Sequence, residues 1–327
     1  MKKILAALTA ALMLVLPLSA CQGGKEAKTG LAVLVSNDDY AQKEAKDGEE
    51  GVTQVNTLAA GALVDKDGKV IKLQLDVVQS NFNYNEEGKV TTPADTVFKT
   101  KKDLGEDYNM KGVSGIGKEW YEQAEAFEDY AVGKTAADIR GISVEEGVPT
   151  EEDLKSSVTV DIGDWLEVAA QAVENAKSLG ASADDTLGLA IHSTAGQTTE
   201  DMASQYNYYV ANTFDKDNKI TSSYLDASIA QYKFEDGKMS DDLHKEVKSK
   251  QVLKEDYNMK DASPIGKEWY EQADAFAEWA KGKTAAEVAG VAVDAEGHPT
   301  DEDLTSSVTI SIGGFQAVYP KSAENAK

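Results

Sequence analysis

The chain has 327 residues, with 33 basic against 57 acidic residues and a formal net charge of −24. A surface that acidic repels nucleic acid and anionic lipid, so neither is an expected partner. The one cysteine, Cys21, excludes an intrachain disulfide, CxxC redox chemistry and cysteine-rich metal sites, while the 41% hydrophobic content suffices for packed cores in about two domains.

Lys2 and Lys3 open the chain, and residues 4–18 form an apolar run. Its length suits a signal-peptide core and falls short of a membrane span. Leu18-Ser19-Ala20-Cys21 follows, with small residues before the sole cysteine. This run resembles the lipobox of bacterial lipoproteins. The resemblance implies that residues 1–20 are removed as a signal peptide and that Cys21 is diacylated. Two acyl chains are what stable anchoring requires. Without the leader, 31 basic and 57 acidic residues remain, a formal charge of −26. Residues 21–29 are expected to be a flexible tether between membrane lipid and the first domain.

The rest of the chain is a duplication. Residues 106–127 read EDYNMKGVSGIGKEWYEQAEAF, and residues 255–276 read EDYNMKDASPIGKEWYEQADAF, identical at 18 of 22 positions. Residues 150–159, TEEDLKSSVT, match residues 300–309, TDEDLTSSVT, at eight of ten. The Glu-Asn-Ala-Lys that ends at Lys177 recurs ending at Lys327. Domain one is therefore expected over 30–177, a short polar linker over 178–185, and domain two over 186–327. A period near 150 means two whole domains, not a solenoid.

Each copy opens with β signals. Runs 55–64 and 69–78 flank Asp67-Gly68, a hairpin turn pair, and runs 206–214 and 220–229 flank Asp217-Asn218. Glu87-Gly88 and Asp236-Gly237 mark further turns. Trp120, Ala124, Phe127 and Ala131 share one helical face that Gly133 ends; Trp269, Ala273, Phe276, Ala280 and Gly282 repeat it. Thr284 to Glu287 forms a capping box, with Thr135 to Asp138 as its looser counterpart. A helix is expected over 165–177, opened by Gly163-Asp164, and its copy is expected to be shortened or kinked by Pro320. The predicted fold is α+β, two tandem repeats of a domain in which a twisted antiparallel sheet packs against helices.

The segment with chemical content is Asp153-Leu154-Lys155-Ser156-Ser157-Val158-Thr159, repeated as Asp303-Leu304-Thr305-Ser306-Ser307-Val308-Thr309. It resembles the flavinylation motif of FMN-binding domains, in which a flavin transferase takes FMN from FAD and joins its phosphate to a hydroxyl. Carried over by position, Asp153 and Asp303 are the motif acid. Ser156 and Ser306 are the motif hydroxyl, followed by Ser157 and Ser307, and Thr159 and Thr309 are the acceptors. The family pattern usually has Gly-Ala where this chain has Ser-Val, and the bulkier Val158 and Val308 are expected to narrow the transferase's approach. A helix start after Thr159 is expected to offer free N–H groups to the phosphate.

The lipobox, the duplication and the paired motifs together resemble the flavinylated, pheromone-encoding surface lipoproteins of Gram-positive flavin-based extracellular electron transfer. That resemblance implies two covalent FMN groups per chain and a location on the extracytoplasmic face of the cell membrane. It also implies electrons drawn from a membrane quinol-linked donor and passed to extracellular acceptors such as ferric iron. The role implied is a redox carrier more than a turnover enzyme, with ferric reductase activity as the enzymatic form. The rival readings are a cofactor-free lipoprotein that binds a small ligand, peptide or cell-wall component, and an adhesin built from repeats.

Aromatic residues Tyr108, Trp120 and Tyr121, with Tyr257, Trp269 and Tyr270, are candidates to stack on a flavin, although Trp120 and Trp269 read better as core anchors. Met110 and Met259 either line a ring pocket or fill a core. Gly133-Lys134-Thr135 lacks the earlier glycine of a phosphate-binding loop, since Glu128 stands there. Asp65-x-Asp67-Gly68 places its glycine too early for an EF-hand. His192, His244 and His298 match no zinc spacing, and no Ser-His-Asp set recurs in both copies.

Overall fold

A computed structural model describes residues 25–37, 41–235 and 238–327. The expected leader, Cys21 and the expected turn at Asp236-Gly237 lie outside the described residues. Three strands, β1 (Lys28–Ser36), β2 (Gly51–Val64) and β3 (Val70–Tyr84), form one antiparallel sheet in that order. Strand β4 (Val97–Phe98), helix α1 (Lys101–Leu104), a 3-10 turn (Gly105–Tyr108), α2 (Trp120–Ala131) and α3 (Ala136–Arg140) follow. The short strands β5 (Val144–Glu145) and β6 (Val148–Pro149) and helices α4 (Glu152–Lys155) and α5 (Gly163–Glu174) complete the first half.

The second half repeats the plan with β7 (Thr186–Thr194), β8 (Met202–Phe214), β9 (Ile220–Glu235), β10 (Lys238–Met239) and α6 (Lys250–Leu253). A 3-10 turn (Lys254–Tyr257) leads to α7 (Trp269–Ala280), α8 (Ala285–Ala289), α9 (Glu302–Thr305) and α10 (Gly313–Glu324). The fold is mixed α and β, with antiparallel sheets and packed helices, and no described helix is long and apolar enough to cross a membrane.

The hairpins form where turn chemistry favours them. Asp65 Oδ1 accepts the N–H groups of Asp67 and Lys69 at 2.9 Å each, and Asp215 does the same for Asp217 and Lys219. The glycine of Asp67-Gly68 adopts φ +78°. Both strands of each hairpin run longer than periodicity suggests, because their far ends are buried in a core between the two halves.

That core was not visible in the repeat itself. The two sheets pack face to face through Leu31, Leu63 and Val78 against Leu187, Ile191 and Tyr209, and at the other end through Phe82 and Tyr84 against Tyr232 and Phe234. Buried polar groups also meet across the interface. Thr57 donates to Gln205 Oε1 at 2.7 Å, and Gln205 Nε2 donates to Ser80 at 2.7 Å. Gln74 donates to the Asn325 carbonyl and accepts from the Leu189 N–H, both at 2.7 Å. Buried polar pairs of this kind fix register, since a slip leaves each one unsatisfied. Strand β4 of the first half joins the second sheet beside β7, and Phe98 packs edge-on against Phe82 at 5.3 Å.

Helices cover the outer faces. The face of Trp120, Ala124, Phe127 and Ala131 is buried as expected, with Trp120 and Phe127 edge-on to Trp165 of α5 at 5.3 and 5.6 Å. In the second half Trp269 and Phe276 meet Phe315 of α10 at 5.9 and 5.1 Å. Gly30 and Gly188 admit this packing: a Cβ there would lie 1.8 and 1.9 Å from the carbonyl oxygens of Ala172 and Ser322. Thr135 and Thr284 both form complete capping boxes, so the first is no looser than the second.

Three expectations need correction. Helix α10 is not shortened: it continues through Pro320 for the same 12 residues as α5. Burial of Phe315, Val318 and Tyr319 outweighs the one hydrogen bond the ring removes. The stretch expected as a tether is held into the fold from Lys25 on: Ala27 is buried and donates to the Ala181 carbonyl, and Thr29 lies in β1. The 178–185 stretch is packed too, with Ala181 buried and Asp185 accepting from Thr221 at 2.6 Å.

Candidate functional site

Each half places its Asp-x-x-Ser-Ser-Val-Thr run on a short helix, a turn and a loop that leads into a long helix. Asp153 and Asp303 are exposed in the first turns of α4 and α9, and Ser156 and Ser306 are exposed at their C-caps. Ser157 and Ser307 are half-buried. Val158 and Val308 are buried in the helix–sheet cores, so their side chains anchor the loop from below and do not crowd its outer surface. The expectation that valine narrows access is thereby corrected.

Thr159 and Thr309 are half-buried and held from another element. The Thr159 N–H donates to Gln123 Oε1 at 2.8 Å, and its hydroxyl makes only a 3.4 Å contact to the same oxygen. Thr309 repeats this with Gln272 at 2.8 and 3.2 Å. Gln123 is fully buried, and its amide also donates to Ser114 Oγ at 3.2 Å and to the Lys118 carbonyl at 3.4 Å. Gln272 donates to Ser263 and Lys267 at 3.1 and 3.2 Å. One glutamine in each half thus ties the threonine loop to the loop before the long helix. The same preceding loop is fastened by Glu119 and Glu268, whose carboxylates accept the N–H groups of Met110 and Met259 at 2.8 Å.

The two glutamines were missed in the sequence. Their signal was present: a glutamine lies within the apolar stripe of an amphipathic helix, one turn after Trp120 and Trp269, and is identical in both copies.

The helix starts beyond the threonines differ between halves. In the first, the exposed Asp161 accepts the Gly163 N–H at 2.8 Å, so a carboxylate already sits where an anion was expected. Ser311 holds the matching place in the second half. Trp120 and Trp269 are core anchors, each within 5.2 Å of a lysine, Lys101 and Lys250 respectively. Tyr108 donates to Gln79 at 3.1 Å, and Tyr270 donates to Glu255 at 3.0 Å. Met110 and Met259 pack against the cores. Tyr121 lines a cleft of about 340 Å³ between the halves, and Thr159 is not among its lining residues. Asp294, Glu296 and His298 come together among the described residues, but as an exposed turn in which Asp294 Oδ1 accepts the other two N–H groups.

A stretch of 113 residues is 33% identical to the chlorophenol reductase of Desulfitobacterium hafniense, covering 31% of this chain and 34% of that protein. The chain thus spans about a third of the length of this relative. No family model matches the chain, and no solved structure matches it.

Proposed function

We propose that the chain is an extracytoplasmic electron carrier, lipid-anchored through Cys21, with FMN joined by a phosphoester to Thr159 and to Thr309. One observation carries the reading. The same acidic-serine-threonine run stands in both halves, and each run ends in a half-exposed threonine hung by its backbone from a buried glutamine. Similarity over part of the chain to a protein named as a reductase supports a redox role.

The residues fit such an attachment. The short bond to glutamine uses the threonine N–H, which leaves the hydroxyl positioned but only weakly engaged. Exposed Ser156 and Ser306 and the inward-turned valines give a second protein's active site room to close over the loop. A threonine hydroxyl is a weak nucleophile alone, so the base comes from the transferase. In the attachment step the threonine oxygen bonds to the phosphorus of the FMN part of FAD, and the anhydride bond to AMP breaks. AMP leaves, and the hydroxyl proton passes to the transferase's base.

Once attached, FMN supplies reversible electron uptake, and the protein supplies position and electrostatics. Gln123 and Gln272 fix the attachment points, and the shared core holds the two halves in one arrangement. The lipid anchor keeps the carrier close to a membrane donor at high effective concentration. External acceptors such as ferric iron would be met on the exposed outer layers.

The test is in-gel flavin fluorescence after denaturation of protein made in a host with the transferase. Thr159→Ala and Thr309→Ala should each remove about half the signal expected for two equivalent attachments, and the double variant should remove all of it. Full fluorescence in the double variant refutes the assignment.

A further inference from the structure

We propose that the half carrying Thr309 holds its cofactor at the higher midpoint potential, and that Lys250, enclosed in an aromatic cage, is the residue that sets this half apart. The inference rests on the flavin reading above and concerns this chain's own residues around the two attachment points.

Lys250, the first residue of α6, is only 3% exposed. Its Nζ donates to the Tyr206 hydroxyl at 2.7 Å. It lies 4.8 Å from the ring centroid of Tyr206, 4.5 Å from Tyr257 and 4.9 Å from Trp269. Tyr206 in turn stacks on Tyr208 at 4.8 Å. Tyr208 occupies space over Gly314, where a Cβ would meet its ring at 2.1 Å. Trp269 and Gln272 lie one turn apart on α7, and Gln272 holds Thr309. The cage and the attachment point therefore share one helix start.

The first half keeps the lysine and two of its three rings, as Lys101, Tyr108 and Trp120, and differs at the other places. Asn56, Leu58 and Asp164 stand where the second half has Tyr206, Tyr208 and Gly314, and Asp161 stands where it has Ser311. The matching Lys101 is half-buried over Tyr108 and Trp120, at 4.7 and 5.2 Å. Relative to the first half, the second has lost two carboxylates near its helix start and one cation of the motif, Lys155, where Thr305 stands, and has enclosed a lysine. Reduction places extra electron density on the cofactor. Nearby positive charge stabilises that state, most strongly where water is excluded, and nearby carboxylates oppose it.

The effect depends on pH. Burial pulls the Lys250 amine down to about 7, against the pull of the Asp226 carboxylate on β9. Burial pushes the phenols of Tyr206 and Tyr208 on β8, and of Tyr257 in the 3-10 turn, upward, so they stay neutral. Burial likewise raises Asp226 to about 6. As pH falls, Lys250 gains positive charge, whereas the loss of negative charge at Asp226 is matched in the first half by Asp76, which burial raises as well. The gap between the halves should therefore widen toward acid and narrow toward alkali.

The test uses the full chain carrying Thr159→Ala, which leaves only the Thr309 site, and the chain carrying Thr309→Ala, which leaves only the Thr159 site. Spectroelectrochemical titration of each on both sides of neutrality should give the higher potential to the Thr309 site, with the larger gap on the acid side. Lys250→Met should shrink the gap, and Ser311→Asp, on an exposed turn, should lower the Thr309-site potential even if Lys250→Met fails to fold. A flavin-free readout uses the double threonine variant: the lysine 13Cε resonance that disappears in Lys250→Met should titrate near neutrality. Equal or inverted potentials, a gap unmoved by both variants, or a Lys250 resonance titrating in the ordinary lysine range overturns the proposal. Absence of bound flavin from both single variants refutes the carrier reading instead, a result distinct from two equal measured potentials.

Discussion

Gln123→Ala separates the positioning role of the glutamine from the packing of its helix. Gln123 is fully buried and makes one short bond, from the Thr159 N–H at 2.8 Å, and three contacts between 3.2 and 3.4 Å. The short bond contributes about 1 kcal/mol and the longer contacts a few tenths each. Truncating the buried side chain adds about 1 kcal/mol, partly offset because water reaches the half-exposed threonine. The total is about 2–3 kcal/mol, which lowers the melting temperature by roughly 4–10 °C. With the loop released, attachment at Thr159 should fall several-fold while attachment at Thr309 is unchanged, so the second half serves as a control within the same chain. Gln272→Ala should give the mirror result. Peptide mapping of flavin-bearing fragments, with thermal unfolding by circular dichroism, reads both effects. Equal loading at Thr159 in a variant that shows the expected loss of stability would refute the claim that the glutamine positions the acceptor.

Three further outcomes follow from the packing. Gly188→Ala drives a Cβ into the Ser322 carbonyl, 1.9 Å away, and should cost more than about 3 kcal/mol in denaturant unfolding, whereas Gly112→Ala, in open space, should stay within about 0.5 kcal/mol. Lys102 lies 2.6 Å from Glu128, which is 2% exposed and keeps Lys327 at 3.0 Å and the Leu75 N–H at 2.8 Å, so Lys102→Gln should cost about 1–2 kcal/mol, less than a buried charge left with no partner. The pair Lys102→Gln with Glu128→Ala should recover most of that, since the second half has Gln251 and Ala277 at these places. Asp226, raised by burial to about 6, binds a proton more readily folded than unfolded, so its contribution to stability falls as pH rises through about 4 to 6. Asp226→Asn should therefore stabilise the protein at pH 7 by roughly 2 kcal/mol, with the gain fading below the unfolded carboxylate range; a gain that grows toward acid would contradict this sign.

Local features were readable because their causes are local. The Asp67-Gly68 and Asp217-Asn218 hairpins, the Trp120 and Trp269 helix faces and the Thr284 capping box depend on residues a few positions apart. The shared core was hidden because its cause is long-range: Thr57, Gln74, Ser80 and Gln205 look like surface positions until their partners in the other half are known. Strand β1 was hidden for the same reason, its early residues reading as tether until Lys177 and Ala181 pair with them. At the candidate site the threonines, serines and aspartates were legible from the repeated motif, but Gln123 and Gln272 were not, because a lone polar residue in an apolar stripe has no meaning until its partner loop is placed. The enclosure of Lys250 was unreadable because its third ring, Tyr206, comes from a distant strand and is replaced by Asn56 beside Lys101, its counterpart.

The most direct measurement is the intact mass of the mature protein purified from membranes of a host that has the flavin transferase. The expected result is peptide plus lipid plus two FMN units, one lost in Thr159→Ala and the other in Thr309→Ala. A mass equal to peptide and lipid alone, from cells in which the transferase is active, contradicts the central claim.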